Sequence, residues 1–128
     1  MNLLIVALDH PSPIDITAGE VLVVAPALNS RLRHWLSDDD AALAHADQRA
    51  AAWVDQLSRG GVLAHGHVGD ADPLQAIADV LALFPADEIL VVAGSAHANH
   101  MADELVRRAG NRFGMPIGHA RVALADAA

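Results

Sequence analysis

The sequence contains no cysteine and no lysine, and each absence removes a class of function. Without cysteine there is no disulfide, no zinc ribbon and no thiol nucleophile. Without lysine the chain has neither the P-loop of nucleotidases nor a Schiff-base enzyme's amine. Only two Trp and two Phe are present among 128 residues, yet 53% of the chain is hydrophobic. These proportions exclude disorder and predict one aliphatic, closely packed core.

Basic residues are also scarce, since eight arginines face sixteen acidic residues and the formal net charge is −8. Such a chain repels a phosphate backbone, so nucleic acid is not expected as a partner. No apolar run approaches the roughly 18 residues of a membrane span. The apolar start, residues 1–7, is followed at once by Asp9 and His10, which argues against a signal peptide. We therefore expect a cytoplasmic protein with no membrane partner.

Short apolar runs alternate with amphipathic stretches along the whole chain. Runs of four to eight apolar residues between turn signals are typical of strands buried on both faces, and hence of a parallel sheet. The predicted strands are Leu3 to Leu8, Val21 to Ala25, Val62 to His67, Ile89 to Ala93 and Ile117 to Leu124.

Three helices are predicted between these strands. Apolar residues at three-to-four spacing indicate one from Ser37, as N-cap, to Ser58. The Asp72-Pro73 pair predicts the start of the second, which stops before Pro85. The third runs from about Asn99 to Phe113.

This order predicts the α/β class, with an open doubly wound parallel sheet of five strands and three helices. The first connection, Pro11 to Gly19, has nine residues, fewer than the dozen or more that a parallel crossover normally needs. The first crossover helix is therefore expected to be missing or shortened. One domain over residues 1–124 and a frayed tail over residues 125–128 complete this prediction.

Several segments have a recognisable order along the chain. The first strand is closed by Asp9, the third is followed by Val68-Gly69-Asp70-Ala71-Asp72-Pro73, the fourth ends in Ala93-Gly94, and Met115-Pro116-Ile117 leads into the fifth. Together these segments resemble a universal stress protein domain of the adenine nucleotide alpha-hydrolase-like group. Ala25 to Trp35 is similar to a branch of bacterial stress-protein-like domains. The resemblance covers nearly the whole chain and implies the strand order 3-2-1-4-5.

In nucleotide-binding members of this group, an Asp after the first strand lies by the adenosine, and a Gly-x2-Gly-x9-Gly-Ser/Thr loop after the fourth wraps the phosphates. Asp9 and Gly94 match. Counting on from Gly94 puts His97, Arg107 and Arg108 at the remaining loop positions. Counting back from Pro116, with a loop shortened by four residues, puts Asp103 and Glu104 where Gly-Ser belongs. The resemblance therefore implies the fold together with weak or absent ATP binding.

Three other groups of residues are candidate sites. Arg31 and Arg33 follow the second strand at the same carboxyl edge as Asp9 and Gly94, where open α/β sheets bind ligands, and two guanidiniums there could clamp a small anion. The pairs His65-x-His67 and His97-x2-His100 have metal-ligand spacing. With the order 3-2-1-4-5, however, strands three and four lie about 14 Å apart, too far for one ion. Ser95 with His97 as base lacks the strand–Ser–helix elbow of hydrolases.

The expected function is a non-enzymatic, homodimeric, universal-stress-protein-like regulatory or stress-response module without a resident cofactor. The alternative is a domain that binds ATP, another adenine nucleotide or a small anion through Asp9, Gly94, Arg31 and Arg33. A metal-dependent hydrolase is a third possibility. Because the first helix is missing, we expect a second copy of the chain to cover strands one and two; the folded-over segment Pro11 to Gly19, with Ile14 and Ile16, is the alternative cover.

Overall fold

A computed structural model describes residues 1–11, 16, 19–28 and 39–121 of the chain. These residues form a parallel sheet of five strands in the order β3-β2-β1-β4-β5, with three helices in the described ranges, which confirms the predicted fold class. The elements along the chain are β1 (Asn2–Ala7), β2 (Glu20–Pro26), α1 (Asp39–Arg59), β3 (Ala64–Gly69), α2 (Pro73–Leu81), β4 (Glu88–Ala93), α3 (Ala96–Phe113) and β5 (Ile117–Arg121).

Two helix boundaries differ from the predicted ones by three residues. α3 begins at Ala96 rather than near Asn99. Ser95 is its N-cap, and the Ser95 side chain accepts a hydrogen bond from the amide of Ala98. α2 starts as predicted behind the N-cap Asp72 but ends at Leu81, three residues before the predicted stop. The predicted N-cap Ser37, the end of the fifth strand and the tail over residues 125–128 lie outside the described residues.

The helices divide between the two faces of the sheet. α2 and α3 pack on one face, where Ile77 and Leu105 join a core with Leu4, Val6 and Val91. α1 packs on the opposite face, where the fully buried Trp53 lies against a second core formed with alternate residues of β1 and β2. This division follows from right-handed crossovers that run outward from β1 in both directions. Among the described residues, no helix is long and apolar enough to cross a membrane.

The α1 face of β1 and β2 is already buried within a single chain. Leu3, Ile5, Val21 and Val23 are at most 5% exposed, and Ile16 packs against their cluster. The expectation that these two strands need a second copy as cover is therefore wrong, and the first connection supplies part of the cover instead. Ile14 lies outside the described residues.

α2 approaches the sheet closely at Gly69, the last residue of β3. A Cβ atom built on Gly69 would lie 2.7 Å from Cβ of Ala76 and 2.8 Å from Cγ2 of Val24. Both distances are shorter than van der Waals contact allows, so only glycine fits between α2 and β2 at this point. Gly69 therefore sets the distance between α2 and the carboxyl end of the sheet.

Candidate functional site

Asp9 and Gly94 meet at the carboxyl edge of the sheet. Asp9 follows β1 and Gly94 follows β4, and these strands are neighbours. Asp9 Oδ2 accepts hydrogen bonds from the backbone amides of Gly94 at 2.7 Å and Ser95 at 3.1 Å. The structure thus brings together the two residues that the resemblance singled out.

The connection from β4 to α3 consists of only two residues, Gly94 and Ser95. All the positions at which the two alignments sought the further loop residues, His97, Asp103, Glu104, Arg107 and Arg108, lie within α3. These residues therefore belong to a helix and not to a glycine-rich loop that could wrap a phosphate. The amides of Gly94 and Ser95, which such a ligand would meet first, already bind the Asp9 carboxylate.

The position of Asp9 is electrostatically favourable. The first amides of a helix lack partners within the helix and carry partial positive charge, so a carboxylate at this end stabilises the helix. Asp9 supplies that negative charge, while the hydroxyl of Ser95 caps Ala98. Capping the helix explains the Ser95 hydroxyl without a role as a nucleophile. Among the hydrogen bonds of the described residues, none joins Ser95 to a histidine.

Arg49 is a charged side chain at this edge that the sequence reasoning missed. Its Nε donates to the carbonyl oxygen of Ala7 at 2.9 Å, and its Nη2 donates to that of Pro26, so it joins the carboxyl ends of β1 and β2. Arg49 is only 8% exposed. Burial lowers the pKa of the Arg49 guanidinium below its ordinary value, while the negative charge of Asp9 raises it.

Trp53, one turn after Arg49 in α1, holds the backbone of Asp9. Its indole Nε1 donates to the backbone carbonyl of Asp9 at 2.8 Å. Asp9 is thus held through its backbone by α1 and through its side chain by the start of α3. The sequence did contain a signal for Arg49, because it falls on the apolar stripe between Ala46 and Trp53, where a charged residue is out of place.

A second polar network joins α3 to β5. His119 Nδ1 lies 2.9 Å from Oδ1 of Asp103, and His119 Nε2 lies 2.7 Å from Oδ1 of Asn99. The amide nitrogen of Asn99 in turn donates to the carbonyl oxygen of Gly94 at 3.2 Å. The His119 side chain is 12% exposed. Since both ring nitrogens face oxygen atoms, His119 ties an edge strand to the β4–α3 connection and presents no free nitrogen as a base.

The structure does not bring the two predicted histidine pairs together. Arg31 and Arg33 lie outside the described residues. His65 and His67 are on β3 and His97 and His100 are on α3, with β2 and β1 between β3 and β4. Within the described ranges, no group of three or more His, Asp or Glu side chains is placed to hold a metal ion.

No protein-family model matches the chain, and no curated protein matches it.

Proposed function

We propose that the protein is a non-enzymatic regulatory or stress-response binding module of the universal-stress-protein type that does not use ATP as its ligand. The parallel sheet of order 3-2-1-4-5 supports the type of domain, although fold alone does not fix function. The cytoplasmic location and the homodimeric state expected from the sequence belong to the same proposal.

One observation carries the proposal: the Asp9 carboxylate occupies the amides of Gly94 and Ser95. A triphosphate at the start of α3 would have to displace Asp9 or lie against its negative charge. Either event costs binding free energy, because like charges in a partly buried site repel. The two-residue connection also lacks the long glycine-rich loop that would add binding free energy in compensation.

Calorimetric titration of the purified protein with Mg-ATP tests this proposal. We expect no binding tighter than about 100 µM, equivalent to roughly −5.5 kcal/mol. A sub-micromolar dissociation constant would overturn the proposal.

A pair of variants tests whether the negative charge of Asp9 is what prevents ATP from binding. Asp9→Asn removes the charge but keeps an oxygen that can accept from Gly94, so we expect ATP to bind several-fold more tightly than to the wild type. Asp87→Asn is the matched control, since the Asp87 carboxylate also accepts a backbone N–H, from Asn2 at 2.7 Å, but lies at the amino end of the sheet. An equal gain in both variants would exclude the Asp9 carboxylate as the cause.

A further inference from the structure

The guanidinium of Arg49 is a buried positive charge with an incomplete set of partners. An arginine side chain has five N–H donors. The side-on pair, Nε and Nη2, donates to the carbonyl oxygens of Ala7 and Pro26. The other N–H groups, on the end formed by Nη1 and Nη2, have no acceptor in the described part of the chain, and no described carboxylate oxygen forms an ion pair with Arg49.

Asp9 compensates this charge only in part. Its Coulomb interaction with Arg49 raises the pKa of the guanidinium. However, its Oδ2 is bound by the amides at the start of α3, whose partial positive charge it neutralises. The negative charge of Asp9 is thus shared between two positive centres. The charges of Arg49 and Asp9 and the partial charge at the start of α3 add up to a positive value. A buried charge that is not fully compensated costs folding free energy.

We propose that Arg49 anchors a binding site for a small monocarboxylate at the carboxyl edge of β1 and β2. The end-on fork of the guanidinium presents parallel N–H groups that match the two oxygens of a carboxylate. The two backbone carbonyls fix the plane of the fork, so a ligand does not have to order it. This inference names the ligand class of the module proposed above and to that extent rests on that function.

The charges at the site favour a monoanion over a phosphate or a nucleotide. A single carboxylate neutralises the surplus positive charge of Arg49. A second or third negative charge would be repelled by the nearby carboxylate of Asp9. The same edge would thus accept a carboxylate and reject ATP.

Thermal unfolding and NMR test the site with acetate as the probe. Sodium acetate is titrated against sodium chloride at constant ionic strength, and we expect acetate alone to raise the midpoint of unfolding, as a ligand that binds only the folded state does. The Arg49 Nε–H resonance should shift saturably with acetate. Inorganic phosphate, run in parallel, should bind at least several-fold more weakly.

Two matched conservative variants distinguish the effect of the planar guanidinium fork from the effect of its positive charge. Arg49→Lys keeps the charge but lacks the planar fork, so we expect acetate affinity to fall about tenfold or more. Arg107→Lys is the control, since Arg107 is 66% exposed on α3 and lies 3.9 Å from Glu104; its acetate response should equal that of the wild type. If Arg49→Lys does not fold, the wild-type Nε–H titration decides.

An acetate response that persists in Arg49→Lys, a wild type that responds equally to chloride, or an unshifted Nε–H resonance would overturn the site. Tighter binding of phosphate would overturn the ligand class. The Mg-ATP titration is a separate measurement, so failure of the acetate site and failure of the proposed function give different results.

Discussion

Asp9 is the side chain whose loss should most weaken the carboxyl edge. In Asp9→Ala the amides of Gly94 and Ser95 lose a charged acceptor, and α3 loses the negative charge at its first turn. We expect the free energy of unfolding to fall by roughly 2–4 kcal/mol, measured by urea denaturation. Asp87→Ala, which removes one exposed acceptor, should cost less than half as much. Equal losses would mean that the position of Asp9 at the helix start contributes nothing.

Arg49 shows why part of the site could not be predicted from the sequence. Asp9 and Gly94 were identified through the family resemblance, because each follows an apolar strand at the position of that family's motif. Arg49 lies in the middle of a helix, and its partners are backbone carbonyls of Ala7 and Pro26, which carry no sequence signature. A charged residue on an apolar stripe shows only that a buried partner exists.

The tie between α3 and β5 depends on His119 and Asn99. We expect His119→Ala to lower the free energy of unfolding by about 1–2 kcal/mol, because the contacts of the imidazole ring with the oxygens of Asn99 and Asp103 are lost. His100→Ala, an exposed histidine on α3, is the control and should change stability little. A double-mutant cycle with Asn99→Ala should give a coupling energy of about 0.5 kcal/mol or more. Strict additivity would show that the two side chains act independently.

The close packing of α2 on the sheet gives a second test, through two strand glycines. Gly69→Ala places a methyl group within 2.8 Å of Val24 and Ala76, so we expect a loss of about 1–3 kcal/mol. Gly118→Ala, on β5, meets only Leu90 at 3.7 Å, an ordinary contact. It should be neutral or stabilising, because alanine loses less conformational entropy on folding than glycine. Chemical denaturation of both variants would settle the comparison, and equal effects would contradict it.

The elements themselves were largely predictable, and their boundaries less so. Five short apolar runs indicated a parallel sheet, and the order 3-2-1-4-5 that the resemblance implied is the observed one. The expectation of strands buried on both faces is wrong for the edge strand β3, in which His65, Gly66 and His67 are exposed. The start of α3 was missed because Ala96, His97 and Asn99 show no apolar periodicity and Gly94 is typical of a loop. The capping hydroxyl of Ser95 was the available signal. Part of the cover over β1 and β2 comes from Ile16, an isolated apolar residue in a proline-containing segment.

In the part of the chain that the structure describes, an apolar region on the α1 face of β4 and β5 is only partly buried. Leu90 and Ala120 are partly buried there, beside the core that contains Trp53. If the proposed homodimer forms, this region is the better candidate for its interface than β1 and β2. Sedimentation equilibrium at tens of micromolar should show a dimer that tightens with salt, because screening reduces repulsion between chains of net charge −8. A monomer under all salt conditions would exclude the homodimer.

The hydrogen bonds of Asp9 to the start of α3 also bear on how the protein behaves in a cell. A diffusible anion fills such a position only in proportion to its concentration, and it stabilises the folded state by an amount that rises and falls with supply. Asp9 is part of the chain, so its carboxylate is present in every molecule at all times. The folded population should therefore be independent of the cell's energy charge, and starvation that depletes nucleotides should leave the half-life of the protein unchanged.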